Sequence, residues 1–199
     1  MLHGFEYGRR AVGQGFNLVS TWMQTNVIRS VQAGTINLAG AATNTATINV
    51  VNVNNTILFF GGVQGSGTAS GALNTVGITI TLTNSTTVTA TRVGTDAAAM
   101  TVHFFVLEFP PGVIRSVQRF GSVDIAASGT GKTQAITAVN VNKTILVYLG
   151  MAQNDGGTYG AVTQTTTSIT LTSSILVTVN IGANIGASTP TSFDVIEFY

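Results

Sequence analysis

Charge is what this sequence has least of: 8% of its 199 residues are Asp, Glu, Lys or Arg, where an ordinary soluble domain carries roughly 25%. Eight Lys and Arg stand against seven Asp and Glu, a formal net charge of +1. The basic residues do not group; the tightest set is Arg9 with Arg10, and Arg29 lies far beyond. Neutral hydroxyls and amides hold water but steer nothing at long range. A nucleic-acid partner, which needs clustered cations against phosphate, is therefore not expected. Cysteine is absent, which excludes disulfides and thiolate metal sites. The fold must rest on its core, on partner subunits, or on both. The opening residues Met1 to Tyr7 lack the basic-then-apolar layout of a secretory leader. No apolar run approaches the ~18–20 residues of a membrane helix. The expectation is a soluble chain with no membrane insertion and no visible export signal.

Catalytic constellations are equally scarce. The two histidines, His3 and His103, have no second His or acidic cluster at metal-ligand spacing. A Gly-x-Ser-x-Gly elbow does not occur. Asp96, Glu108, Asp124, Asp155, Asp194 and Glu197 fall singly along the chain, whereas acid–base hydrolysis needs two such groups to converge. Gly129-Thr130-Gly131-Lys132-Thr133 looks like the end of a phosphate-binding loop. Ala126 stands where that pattern requires glycine, and strands flank it where a helix should follow. The reading is a non-enzymatic protein with no cofactor and no metal.

What the sequence does have is repetition. Val27-Ile28-Arg29-Ser30-Val31-Gln32 returns as Val113-Ile114-Arg115-Ser116-Val117-Gln118, a shift of 86 residues. Val51-Asn52-Val53-Asn54-Asn55-Thr56-Ile57-Leu58 returns from Val139 to Leu146, a shift of 88. Ile80-Thr81-Leu82-Thr83 returns at Ile169 to Thr172, and Val106-Leu107-Glu108-Phe109 as Val195-Ile196-Glu197-Phe198, each a shift of 89. Four blocks in one order mean duplication of a whole module, with small insertions collected in loops. The expected division is an arm over 1–26, one module over 27–109 and a second over 113–199. Pro110-Pro111-Gly112 forms a short, stiff joint between the modules.

Within each module apolar and hydroxyl residues alternate, as in Ile78-Thr79-Ile80-Thr81-Leu82-Thr83. A period of two with many β-branched residues predicts strands. In the first copy these cover 27–38, 47–53, 56–61, 78–83, 87–93 and 100–109, with turns at Asn84-Ser85 and, in the second copy, Ser173-Ser174. The fold class is all-β: two tandem antiparallel β-sandwich modules of about six strands each, preceded by the N-terminal arm.

Four charges occupy equivalent places in the two copies. Arg29 and Arg115 open the first strands while Glu108 and Glu197 close the last ones. Either two Arg–Glu pairs tie first strand to last, or these are unrelated surface charges. In the last strand of the first module Phe104, Val106 and Glu108 share one face, and His103, Phe105, Leu107 and Phe109 the other. A strand apolar on both faces has its second face against another subunit or module, or both faces buried in the sandwich. Phe105 and Leu107 are the candidate interface residues there. Phe5, Tyr7, Arg9, Arg10, Phe16 and Trp22 make the arm a candidate docking segment, with a loose tail as the other reading. In the second module Asn154, Asp155 and Tyr159 combine amide, carboxylate and aromatic ring in one glycine-rich loop. That set would suit a saccharide, or is a turn with an exposed tyrosine.

The four repeated blocks, spanning Val27–Phe109 and Val113–Phe198, resemble a repeated β-module of tailed-bacteriophage virion proteins, the structural components of tail fibres and capsid decorations. The strand order is similar in layout to that of H-type lectins, which form trimers and in some members bind sugars. These resemblances imply a virion protein that attaches to and reinforces the particle as a capsid decoration or as a tail or fibre component. They imply other virion proteins as partners, a homotrimer, and, as the competing reading, recognition of a host-surface glycan by a lectin-like receptor-binding protein.

Overall fold

The computed structural model describes residues 27–66, 77–95, 99–126, 129–153, 167–182 and 188–199. All the regular structure in them is extended, apart from two single 3-10 turns. Six strands come first: β1 (Ser30–Asn37), β2 (Thr43–Thr47), β3 (Thr56–Ser66), β4 (Ile78–Asn84), β5 (Thr87–Thr91) and β6 (Ala99–Glu108). Six more follow: β7 (Ile114–Ile125), β8 (Gly131–Ala135), β9 (Thr144–Met151), β10 (Thr167–Ser173), β11 (Leu176–Ile181) and β12 (Thr189–Phe198).

Every pairing is antiparallel, and the two halves repeat one pattern. In the first, β6 lies between β1 and β3, while β5 lies between β2 and β4. In the second, β12 lies between β7 and β9, and β11 between β8 and β10. Each half is thus built from two three-stranded layers, the all-β sandwich arrangement in which apolar faces meet. The alternation read from the sequence has this cause: in β6, Met100, Val102, Phe104 and Val106 point inward and are buried. Phe193 of β12 does the same in the second half, stacked on Phe120 with ring centroids 5.0 Å apart.

The halves share a sheet. The edge of β4 pairs with the edge of β9 through Ile78↔Met151 and Thr79↔Gly150, giving a six-stranded order β2-β5-β4-β9-β12-β7. At this seam Gly150 has φ +99°, and a Cβ there would collide with the Ile78 carbonyl oxygen. Only glycine gives both the backbone angle and the clearance. One apolar cluster runs across the seam, joining Ile57, Ile80, Leu82 and Phe104 of the first half to Ile114, Val147, Leu149 and Ile196 of the second. A separate cluster around Val123, Val177, Val179 and Phe193 fills the second half.

One expected strand does not form. Residues 47–53 alternate like a strand, yet β2 ends at Thr47 and Val53–Asn55 is a 3-10 turn. The intervening chain crosses from one layer to the other. Its amides bond to the β4–β5 turn, Ile48 N–H to Thr86 O and Val51 N–H to Ser85 O, both at 2.9 Å. The strand β2 lies earlier, over residues whose Thr and Asn side chains carry little apolar signal. The strand expected over 56–61 runs on to Ser66, bulged between Phe60 and Gly62.

Candidate functional site

Four of the repeated residue types meet at one place in each half. The buried carboxylate of Glu108 accepts from Arg29 Nη1 at 3.2 Å, Ser30 Oγ at 3.3 Å and the Asn52 backbone N–H at 3.0 Å. Glu197 accepts from Arg115 Nη1 at 3.3 Å, Ser116 Oγ at 3.3 Å and the Asn140 N–H at 2.9 Å. The Asn-x-Asn-x-Thr block supplies the rest. Asn52 Oδ1 accepts from the Asn54 N–H at 3.0 Å, capping the 3-10 turn, and Thr56 Oγ1 donates to Asn52 O at 2.7 Å. Asn140, Asn142 and Thr144 do the same. The neighbouring Gln of the first block clamps the crossing chain: Gln32 exchanges two hydrogen bonds with the backbone of Asn49, and Gln118 two with that of Thr137. The repeated polar motifs are therefore knots that fasten first strand, crossing chain and last strand. Their chemistry is structural: a buried carboxylate is tolerable when its lone pairs are filled in this way.

A further ion pair has no counterpart in the first half. Arg119 of β7 donates to Asp194 of β12, its register partner. Arg119 Nη2 also reaches the Val53 and Thr56 carbonyl oxygens, at 2.8 Å each, which ties the second half to the 3-10 turn of the first. Burial pushes the Asp194 carboxyl up to about 6, although Arg119 pulls it down, and burial likewise lowers the Arg119 guanidinium. In the sequence Asp194 stands as a single acid on the last strand, and nothing local marks Arg119 as its partner. The signal was a paired divergence: the corresponding positions of the first half are Ala33 and Phe105, themselves register partners.

Among the described residues, the outer face of the β1–β6 pair carries a group of exposed apolar side chains. Phe105 is exposed, Leu107 is half-buried beside it, and Val31 and Ile28 are exposed on the adjoining strand and lead-in. Phe5, Tyr7, Arg9, Arg10, Phe16 and Trp22, and the loop residues Asn154, Asp155 and Tyr159, lie outside the described residues. The strand expected to follow a phosphate-binding-like loop is present, since Lys132 and Thr133 belong to β8. A shallow groove of about 330 Å³ between β1 and the crossing chain is lined by Gln32, Ala33, Thr47 and Asn49, with Phe104 at its floor. It holds no ionisable group. Among the described residues no three His, Asp or Glu side chains converge as a metal site, and no helix is long and apolar enough to cross a membrane. Comparison with protein-family models, with curated proteins and with solved structures gives no match to this chain.

Proposed function

We propose that this protein is a structural component of a bacteriophage virion, a capsid decoration or a tail or fibre protein that attaches to the particle and reinforces it. The observation that carries the reading is mechanical. Two charge-poor copies of one module share a six-stranded sheet and a continuous apolar cluster, while Ile28, Val31 and Phe105 stand exposed on the β1–β6 side, where a partner could cover them. The buried acids Glu108, Glu197 and Asp194 are each bonded within the fold, where they hold strands together. A cysteine-free fold of this kind also suits a protein assembled in a reducing cytoplasm and then exposed outside it.

Immunogold electron microscopy of intact particles, with antibody raised against Val113–Tyr199, tests the proposal. Label over the head makes the protein a decoration protein, and capsid stability is then the property to measure. Label confined to the tail makes it an adsorption or fibre component, to be assayed next for sugar binding. Particles without label refute the virion reading.

A further inference from the structure

We infer that the protein self-associates head to tail, the β10 edge and second 3-10 turn of one copy docking on the bare β1–β6–β3 layer of the next. The contact repeats, between copies, the seam already present within the chain. It goes beyond the virion proposal, because it would hold for any assembly of this chain.

The internal seam has a donor side and an acceptor side. On the donor side the first half presents Val53, Ile57, Thr79 and Thr81, all buried or half-buried. On the acceptor side the second half presents Ile114, Val117, Asp194, Ile196 and Gly150, buried or half-buried in turn. Each residue has an equivalent in the other half, where no seam covers it; seven of these nine are exposed, and Leu107 and Gly62 are half-buried. Ile57 is 2% exposed but Ile145 is 43% exposed, and Val141 is exposed where Val53 is not. Ser168 and Thr170 are exposed where Thr79 and Thr81 are covered. On the other side Asp194 is 1% exposed and Phe105 46%, while Val31 is 60% exposed and Ile28 lies open where Ile114 is buried. Among the described residues, five of the ten exposed large apolar side chains, Ile28, Val31, Phe105, Val141 and Ile145, are thus the unmatched halves of one interface.

The backbone makes the same statement. Gly62 is the equivalent of Gly150 and holds nearly the same angle, φ +103° against +99°. At Gly150 the space a Cβ would take is filled by the backbone of β4, whereas at Gly62 nothing lies within 4 Å. The first half keeps the positive φ without the strand that it accommodates in the second. Both edges needed are unpaired among the described residues: β3 bonds only to β6, and β10 only to β11. Such edges take up another strand readily. Transfer of the internal register puts Thr167 opposite Val63 and Ser168 opposite Gly62 of the next copy.

The largest chemical difference, loss of the ion pair, is itself complementary. Within the chain Arg119 reaches carbonyls of the 3-10 turn that carries Val53. Between copies Ala33 and Phe105 replace Arg119 and Asp194, and the turn that meets them carries exposed Val141. An apolar contact replaces an ionic one. At Gly121, where a Cβ would come within 3.2 Å of Thr81 Cγ2, the first half has Thr35, so the docked strand sits slightly farther out. Since donor and acceptor surfaces differ, the contact is heterologous and builds a closed ring or an open fibre.

The absence of cysteine makes the test direct. Full-length chains carrying Val63→Cys with Thr167→Cys are oxidised with copper phenanthroline and run on non-reducing gels. Ile78→Cys with Met151→Cys serves as the intrachain control. The double variant is expected to give a ladder of covalent multimers or one closed covalent species. A mixture of the two single variants should give covalent dimer and nothing larger, and each single variant alone none. In unmodified full-length protein, Phe105→Asp should weaken association by at least about tenfold, the loss expected for an apolar anchor, with an unchanged melting temperature at low concentration. A monomeric mass by light scattering at high concentration overturns the inference, as do single variants that link to themselves or a double variant that fails to link while the control forms. The readouts use purified protein, so they stand or fall separately from any label on particles.

Discussion

Replacing Glu108 by Ala and by Gln separates what the carboxylate does for the backbone from what it does for Arg29. The carboxylate is buried and takes three bonds, but the Arg29 side chain is 60% exposed. An ion pair with one partner in water contributes about 0–1 kcal/mol. The bonds from Ser30 Oγ and the Asn52 N–H are to a charged acceptor in a part-buried place, each worth about 1.5–3 kcal/mol at most. Glu108→Ala removes all three and should cost about 3 kcal/mol, since a polar group left unmet adds to the loss. Glu108→Gln keeps the shape and an acceptor for Asn52, loses charge assistance and turns the Ser30 bond round, its hydroxyl now accepting from the amide NH2, and should cost about 1 kcal/mol. Arg29→Ala should cost less than about 1 kcal/mol. For a chain of this size about 3 kcal/mol is a fall of roughly 6–12 °C in Tm. Urea unfolding of the three variants, with the Arg29→Ala/Glu108→Gln double variant to isolate the charge term, measures the order directly. An Arg29→Ala cost equal to that of Glu108→Ala, or no measurable cost for Glu108→Ala, would refute a carboxylate held mainly by Ser30 and the Asn52 amide. Glu197→Ala should repeat the result, because its three partners are the same types at nearly the same distances.

The Asp194 carboxyl has a folded pKa of about 6 against an ordinary 3.8. The native state therefore holds the proton through a window in which the unfolded chain has lost it, and the stability this contributes is full below about 3.8 and gone above about 6. Across that window the Tm of the wild-type protein should fall relative to Asp194→Asn as pH rises; parallel melting curves from pH 3.5 to 7 would contradict it. Gly150→Ala should destabilise more than Gly62→Ala, because both strain the positive φ but only the first meets the Ile78 carbonyl. The strain alone costs about 1–3 kcal/mol, so equal losses in urea unfolding at concentrations where the protein is monomeric would rule out the β4–β9 seam in solution.

Strand alternation was plain in the sequence because most strands have one buried face, and a period of two survives in Ile78–Thr83 and Met100–Phe109. The crossing chain was misread for a physical reason. Residues 47–53 have the residue pattern of a strand, but their partners are the Gln32 side chain and a turn, which no local pattern reveals. The glutamates were legible because duplication marks what both copies need. Arg119 and Asp194 were missed for the converse reason: they serve the seam, which occurs once, so repetition hides them. The seam itself depends on Gly150 and on Thr79 lying under another layer, and neither fact is written in composition or spacing.

In each half the closing strand is the middle one of its layer: β6 lies between β1 and β3, and β12 between β7 and β9. During synthesis, then, β1 and β3 leave the ribosome without ladder partners and wait for Ala99–Glu108, the last stretch of their module, to emerge. Glu108, which fastens Ser30 and Asn52, arrives at the very end of it. Domains generally fold as units in the order they are made, and unpaired edges exposed meanwhile are prone to wrong partners. Translation speed across the final strand of each module, and chaperone cover over the earlier ones, should therefore govern the yield of native protein more than the stability of the finished fold does.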